Sequence, residues 1–419
     1  MYEAAFAIFA ALTVVLAAPF AYLGLITLAA LRWPATPAFP WAAPPRFLVV
    51  IPAHEEEAGI GATVASCLAA DYPPGRFAVC VIADNCSDRT AAVARAAGAQ
   101  VVTRRDPGRR GKGHALGYLF NADVPGVDMG GYDAAVVVDA DSILDPRALS
   151  AFAAALAEGG EWLQAYNIVG NPDESRRTRL LAYAFGLING VHLLGQQGLG
   201  MGVGLRGNGM CLATSALARV SWREHGLAED AEFSWVLRTL GERARFVPGA
   251  VVRSAMLARS GPGAEAQRGR WEWGRRALPG RFLGPLLRAP RLGLRLKALY
   301  LVDLLCPPMV TLLLLWGVAL TPHLGAALDD RLSPLSRGLL PAHALMAAAL
   351  GIYTLSPVLV IGMPARYLLC LLDLPYYAAW KLGVALKGRP AGWTRTPREH
   401  RRARSGLAEV AARPNFVGD

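Results

Sequence analysis

Two aspartates separated by one alanine, Asp139 and Asp141, close a run of valines in the stretch AAVVVDADS at 134–142. Paired hard oxygen donors of this kind can hold a divalent cation, which in turn can hold a diphosphate. An isolated pair of this form is also compatible with a solvated turn capping a strand. Three more groups of potential chemistry lie elsewhere. IPAHEEE at 51–57 gathers three acids, a pattern that a helix N-terminus also favours through its macrodipole. Asp84, in ADNCSD, stands where an N-cap or turn would serve equally, a role open to Ser87 and Asp88 as well. Last come the adjacent acids Glu229 and Asp230 in LAEDAEF, followed by QRGRW, Gln267 to Trp271.

The elements that must position these residues read clearly. FLVVIPA, FAVCVIAD, AQVVTR and AAVVVDAD are short β-branched runs, as expected of strands covered on both faces in a parallel sheet. Between them GIGATVASCLAADY, TAAVARAAG and LSAFAAALAEG have helical spacing. Strand and helix in alternation from Phe47 to about Val247 predict an α/β fold with a parallel sheet and helices on both faces. Ligands of such sheets collect at the carboxyl ends of the strands, where Glu56, Asp84, Asp139 and Asp141 fall. There is no GxGxxG after the first strand and no GxxxxGK[ST] anywhere; RRGKGHAL at 109–116 supplies only a GKG, so a nucleotide must be held another way. GLRGNGMC at 204–211 is glycine-rich and can bring backbone close to a ligand.

Composition places this unit at a membrane. The chain of 419 residues is 53% hydrophobic with a net charge of +11. Its basic residues cluster beside apolar segments, as on the cytoplasmic side of a bilayer. No groove of basic residues interleaved with aromatics appears, which argues against nucleic acid. The six cysteines have no CxxC and no histidine at zinc spacing, and read as reduced, mostly buried thiols. Ala4 to Leu31 is long enough to span, starts after Glu3 and ends before Arg32, so residues 1–33 predict a retained transmembrane helix with its N-terminus outside. A proline-rich linker, 34–46, leads to the soluble unit, 47–297. That unit ends in a basic stretch, Arg268 to Lys297, with nine basic residues against Glu272. Residues 298–386 hold an apolar segment at Ala298–Leu320 broken by Pro307-Pro308, and a second at about Leu340–Met363. They end in YLLCLLDLPYYAAWKLGVAL, which reads as an amphipathic helix in the interface rather than a full span. The basic tail, 387–419, belongs inside, on the same side as the soluble unit.

In their order and spacing, Asp84, the DAD of Asp139 and Asp141, the ED of Glu229 and Asp230, and the Q-x-x-R-W of Gln267 to Trp271 resemble the signature of family 2 glycosyltransferases. The match is closest to the membrane-embedded processive branch of cellulose, chitin-oligosaccharide and hyaluronan synthases. The resemblance covers roughly Phe47 to Arg276. It implies a GT-A-type, Rossmann-like nucleotide-sugar-binding domain with transmembrane helices. Pro52, His54, Glu56 and Asp84 would line the base and ribose pocket; the family's usual asparagine before the glutamate is here Glu55. Lys112 would lie near the donor, and Asp139 and Asp141 would place Mg²⁺ or Mn²⁺ on the diphosphate faced by Gln267 and Arg270. Asp230 would be the general base of an inverting transfer, with a pKa that the neighbouring Glu229 could raise while orienting it. Trp271, with Asn208 and Gly209 of the glycine-rich loop, would meet the acceptor. That loop differs from the Cys- or Ser-containing versions of cellulose synthases. The implied reaction extends a poly- or oligosaccharide from a nucleotide sugar, UDP-linked by expectation, at the bacterial inner membrane. Single addition to a lipid acceptor in glycolipid synthesis, or a catalytically silent nucleotide-sugar-binding scaffold, are the competing readings; the acceptor is expected to be a carbohydrate or lipid-linked. Membrane lipids are expected partners, with a second copy or an export partner completing any channel.

Overall fold

Alternation of apolar residues on two faces dictates the centre of the structure, a computed structural model that describes residues 2–31, 43–328 and 334–386. The linker at 32–42, residues 329–333 and the basic tail from 387 lie outside the described residues. Strand β1 (Phe47–Ala53) sends Leu48 and Val50 into one core layer with Trp162 and Phe233. Its Phe47, Val49 and Ile51 enter the other layer with Ile60 and Phe152. A strand buried on both faces needs neighbours on both edges. Parallel β2 (Phe77–Asp84) and β4 (Ala134–Val137) supply them, and β3 (Gln100–Arg104) extends the sheet beyond β2. Helices α2 (Ile60–Leu68), α3 (Thr90–Ala96) and α4 (Lys112–Phe120) fill the crossovers.

Beyond β4 the sheet departs from the all-parallel expectation. After β5 (Ser142–Leu144) and α5 (Ala148–Ala157) comes β6 (Trp162–Val169). Helix α6 (Arg176–Phe185) runs through a wide turn at Gly186–Val191 into α7 (His192–Gly198). The glycine-rich loop then turns at Gly207 and Gly209, with φ of 76° and 73°, at the carboxyl end of β4. The next strand, β7 (Met210–Ala213), can only run back along it. It pairs antiparallel with β4 and β6, and β5 is antiparallel to β8 (Ala244–Ser254). The eight-stranded mixed sheet has the order β3-β2-β1-β4-β7-β6-β8-β5. Between β7 and β8 lie α8 (Thr214–Arg219) and α9 (Glu229–Leu240), and α10 (Pro262–Arg288) follows.

The apolar helices are α1 (Tyr2–Ala30), α11 (Leu294–Leu305), α12 (Met309–Leu328) and α13 (Pro334–Val360). Ala7–Ala30 and Gly338–Val360 are long and apolar enough to cross a membrane. The apolar segment expected at Ala298–Leu320, broken at Pro307-Pro308, is two helices bent by 89°, Leu294–Leu305 and Met309–Gly325, which together count as a third candidate span if the pair is one broken span. Consecutive prolines at 307 and 308 remove two donors and disfavour helical backbone before them, which accounts for the break. The expected interfacial helix is likewise two pieces, a 3₁₀ stretch at Ala365–Asp373 and α14 (Leu374–Leu386). Among the cysteines, Cys67, Cys80, Cys211 and Cys370 are buried free thiols, and Cys86 and Cys306 are half-buried.

The apolar helices are built into the α/β unit. Helix α1 meets α7 backbone to backbone: a Cβ at Gly195 would lie 2.6 Å from Ile26 Cγ2, and one at Gly198 2.7 Å from the Ala29 carbonyl. Beside this contact Asp303 of α11 accepts from four donors. Tyr22 Oη lies 3.0 Å away, His192 Nε2 3.4 Å, Gln196 Nε2 3.2 Å and Arg238 Nη1 2.9 Å. Arg238 belongs to α9, so a single carboxylate ties α1, α7, α9 and α11 together. Both partners of the Arg238–Asp303 pair are buried. Replacing Asp303 by alanine should cost about 3–5 kcal/mol, because the Arg238 charge stays buried without its partner. Thermal unfolding in detergent measures this, with Arg238→Met/Asp303→Leu expected to recover much of the loss. An unaltered Tm in Asp303→Ala would contradict the assignment.

Candidate active site

The ends of β1 and β2 are stitched into one rim. His54 Nδ1 lies 2.7 Å from the Asp84 carbonyl, and the Glu56 N–H donates to Thr90 Oγ1 at 2.7 Å. Glu55 has a φ of 57°, a left-handed conformation that asparagine adopts more readily than glutamate. This is the position where the resembled family carries asparagine. The carboxylate of Glu55 helps offset that strain: it accepts from the Ser87 N–H at 2.6 Å and Ser87 Oγ at 2.9 Å. These bonds hold its pKa below the usual carboxylate range, the backbone N–H contributing most. Asp84 is buried, and its carboxylate receives Arg104 Nη1 at 2.6 Å and Asn85 Nδ2 at 3.0 Å. Pro52 is half-buried within β1 on the same rim.

At the end of β4 the chain leaves the sheet, and the half-exposed Asp139 carboxylate meets the Lys112 ammonium at 2.5 Å. Lys112 is the first residue of α4, and its Nζ also donates to the Gly207 carbonyl at 2.6 Å. Burial opposes charge on Lys112. The carboxylates of Asp139, Glu229 and Asp230 outweigh that, and its pKa lies above the ordinary lysine value. A Cβ at Gly207 would lie 3.0 Å from Asp230 Oδ2 and 3.3 Å from Lys112 Nζ, so this glycine leaves space between the two. Asp141 follows Asp139, and Ser142 Oγ approaches its Oδ1 at 3.4 Å. Among the described residues no third His, Cys, Asp or Glu joins this pair in a cluster able to hold a metal. Two carboxylates fit a hard cation whose remaining ligands are phosphate oxygens and water.

Glu229 and Asp230 open α9, whose N-terminus favours acids. Burial raises the pKa of both. For Glu229 the Asp230 charge adds to this and carries it to about 7, whereas Lys112, the Ala231 N–H and Arg206 partly offset the rise in Asp230. Helix α10 lies over this turn. Arg281 pairs with Glu224 at 2.5 Å and Glu232 at 2.7 Å, and Gly274 sits against Ala228, immediately before Glu229. One turn earlier in α10 Arg270 lies within electrostatic reach of Glu229, and burial lowers its pKa. Gln267 Oε1 is buried without a hydrogen-bond partner, and Trp271, 38% exposed, stands 6.4 Å from the Phe185 ring.

The structure thus gathers Lys112, Asp139, Glu229, Asp230 and Arg270, with His54, Glu56 and Asp84 along the β1–β2 rim. Asn208, expected at the acceptor, has another placement. It is 1% exposed; its Oδ1 accepts from the Asp139 N–H at 3.0 Å, and its Nδ2 donates to Ser142 Oγ and Ser254 Oγ at 2.8 and 2.9 Å. Its amide is spent on fixing the backbone of the aspartate pair. Gly209 is buried too, and a Cβ there would lie 2.6 Å from Ala165 Cβ. Sequence reasoning passed over Arg104, Arg206 and Gly274. Arg206 stood inside the glycine-rich loop already singled out, and Gly274 three residues beyond the QRGRW.

Residues 44–274, just over half of the chain, match the family described as Glycosyltransferase like family 2. The chain belongs to that family. A mannosyltransferase from Pyrobaculum calidifontis, solved with GDP-Man and Mn²⁺, shares the fold: TM-score 0.53 at 20% identity, over 90% of this chain and 98% of that one. Glucosyl-3-phosphoglycerate synthase from Mycobacterium tuberculosis, solved with Mn²⁺, UDP and phosphoglyceric acid, matches at 23% identity over 56% of this chain and 78% of that one, with a TM-score of 0.38. No curated protein matches the chain significantly. The α/β GT-A fold, with its long apolar helices, is therefore that of a nucleotide-sugar glycosyltransferase.

Close packing of α10 on the start of α9 makes a direct test. Gly→Ala inside a helix ordinarily stabilises by about 1 kcal/mol. At Gly274 the new Cβ would lie 2.6 Å from Ala228 Cβ and 3.2 Å from its backbone nitrogen. Gly274→Ala should instead destabilise by about 1–3 kcal/mol and lower turnover. A variant with raised Tm and full activity would refute the packing role.

Proposed function

We propose that this glycosyltransferase is an inverting, metal-dependent enzyme. It moves a sugar from a nucleoside-diphosphate sugar, UDP-linked by first choice, to a carbohydrate or lipid-linked acceptor at the inner face of the bacterial plasma membrane. The observation that carries the reading is the meeting of Asp139, Lys112 and the Glu229–Asp230 pair around the open space at Gly207. Pro52, His54, Glu56 and Asp84 hold the base and ribose, with Asp84 fixed by Arg104. Asp139 and Asp141 would hold Mg²⁺ or Mn²⁺, which when bound neutralises charge on the departing diphosphate. The mannosyltransferase that shares the fold was solved with GDP-Man and Mn²⁺, which adds GDP-sugars to the candidate donors. Lys112, Gln267 and Arg270 contribute further donors to the diphosphate, Arg270 through its planar fork. Asp230 takes the proton of the acceptor hydroxyl. The acceptor oxygen bonds to the anomeric carbon as the bond to the diphosphate oxygen breaks, from the opposite face, so the centre inverts. Glu229 orients Asp230, and Trp271 offers an apolar face to an acceptor ring.

Two products remain in view. Arg270 of the QRGRW segment, within electrostatic reach of Glu229, supports extension of a poly- or oligosaccharide, as in the processive branch. The position of α10 beside the apolar helices supports single addition to a lipid-linked acceptor. In the membrane arrangement proposed here, residues 47–297 and the tail share the cytoplasmic side.

Release of nucleoside diphosphate by purified protein in detergent, across a panel of UDP- and GDP-sugars with Mg²⁺, Mn²⁺ or chelator, tests the proposal. One donor should be turned over in a metal-dependent way, and Asp230→Asn should lose at least about 10²-fold in kcat. Binding of nucleotide without release from any donor, even with lipid and oligosaccharide extracts added, would leave a silent scaffold instead. Product size separates polymer from single addition.

The acid pair also sets the pH dependence. Asp230 must be ionised to act, and burial raises its pKa, so kcat/KM should fall with decreasing pH from a point above the titration range of an ordinary aspartate. Glu229→Gln removes one negative neighbour and should move that acid limb to lower pH by on the order of one unit. An unmoved limb in a pH–rate profile would show that the two carboxylates titrate independently.

A further inference from the structure

Buried guanidinium groups in this chain are commonly neutralised by a carboxylate. Arg104 has Asp84 at 2.6 Å, Arg238 has Asp303 at 2.9 Å, and Arg253 has Asp145 at 3.1 Å. Arg206 is different. Its Nε is buried without a hydrogen-bond partner, and its Nη2 reaches only the Ile188 carbonyl, at 3.4 Å. The second guanidinium, Arg275 of α10, is close enough to repel it. Neither has an ion pair among the described residues. Asp303 does not fill the role, since its two oxygens already accept from Tyr22, His192, Gln196 and Arg238. Burial and the Arg275 charge together lower the pKa of Arg206 to about 10, despite the nearby carboxylates of Asp303 and Asp230.

The placement is informative as well. Lys112 and Arg206 both lie within electrostatic reach of Asp230; Lys112 is paired with Asp139, whereas Arg206 is within reach of Asp303 as well. Arg275 is exposed, stands one helical turn after Trp271 on α10, and lies within electrostatic reach of Tyr353 and Cys306 on the apolar helices. Two like charges held together, one of them in a desolvated setting, cost free energy until an anion joins them. The fork geometry of guanidinium matches the oxygens of a phosphoryl group.

We propose that Arg206 and Arg275 form an anion subsite on the acceptor side of Asp230, which takes a phosphoryl group carried by the acceptor. This rests on the glycosyltransferase reading above and narrows its acceptor: the phosphoryl group at Arg206 and the hydroxyl at Asp230 are neighbours on one molecule. The phosphate belongs to a lipid headgroup, reached from the bilayer surface beside α10, or to a soluble phosphorylated compound.

Equilibrium dialysis of the full chain in neutral-detergent micelles against radiolabelled inorganic phosphate tests the subsite without turnover. Wild type should bind. Arg206→Met and Arg275→Met should each weaken binding by roughly 10- to 100-fold, Arg206→Lys should restore part of it, and Lys112→Met should keep it. Decyl phosphate doped into the micelles, against decanol, separates the sources. Competition far below the inorganic phosphate concentration assigns a lipid headgroup, and competition at equal concentration assigns a soluble phosphate. Absence of phosphate binding, or binding lost in Lys112→Met and retained in both arginine variants, overturns the proposal. Should Arg206→Met fail to fold, Arg275→Met, at an exposed position, carries the same test. Because the readout is binding, failure of nucleoside-diphosphate release would sink the transferase reading separately.

Discussion

Asp139, Glu229 and Asp230 meet around one ammonium, that of Lys112, and the architecture of the site follows from keeping that group together. Three carboxylates held close in a poorly solvated place would repel one another or take up protons. Lys112 supplies the missing charge, and it can do so only from the first residue of α4, reached through the GKG turn. The same constraint explains the neighbours. Gly113 lets α4 approach the loop before α9, where a Cβ would come 3.1 Å from Glu229 Cβ. Asn208 holds the backbone N–H of Asp139 at 3.0 Å, so the aspartate leaves the strand in a fixed direction.

Helix α10 closes the arrangement from above. It carries Arg281 to the two acids flanking the start of α9, Gly274 to Ala228, and Arg270 to the vicinity of Glu229. Its other side is anchored as firmly: Glu272 receives Arg268 at 2.5 Å and Lys381 of α14 at 3.0 Å. A helix pinned both to the Glu229–Asp230 turn and to the C-terminal helices couples the site to the apolar helices. The Arg238–Asp303 pair does the same from the far end of α9. Both ends of the helix that begins with Glu229 and Asp230 are thus referenced to apolar helices.

Much of this was legible in the sequence, and the limits are physical. The strands β1, β2 and β3 read correctly because burial on both faces demands continuous β-branched runs with helices between them. The direction of β7 did not read, since it depends on where a glycine loop returns the chain rather than on the strand's own residues. The break in Ala298–Leu320 is legible from Pro307 and Pro308, whereas its angle, 89°, is not, since hydropathy carries no angle. At the site, the acids and QRGRW were visible because charge and spacing are written in the chain. Whether Asn208 faces a ligand or the backbone of Asp139 is decided by its partners in space. Arg206 escapes a reading of the sequence for the same reason: an arginine becomes notable only once no carboxylate is seen to pair with it. Glu55 is the reverse case, where a departure from the family pattern gains its account from a left-handed φ and the two bonds to Ser87.

The charges in the site also have an order. Under the proposed function Asp84 with Arg104 would mark the nucleotide rim, Asp139 with Lys112 the diphosphate, Glu229 and Asp230 the reacting centre, and Arg206 with Arg275 the acceptor side. In the proposed reaction this order assigns each substrate an approach. The donor is polyanionic and water-soluble, and its binding groups lie at the strand ends. The acceptor must then reach Asp230 from the other side, and Trp271 and Ile188 leave apolar surface exposed to meet it. Two substrates of unlike solubility then meet at one carboxylate without sharing a path. That arrangement requires the α/β unit to keep a fixed position relative to the apolar helices, and the Asp303 and Glu272 ion pairs hold it there.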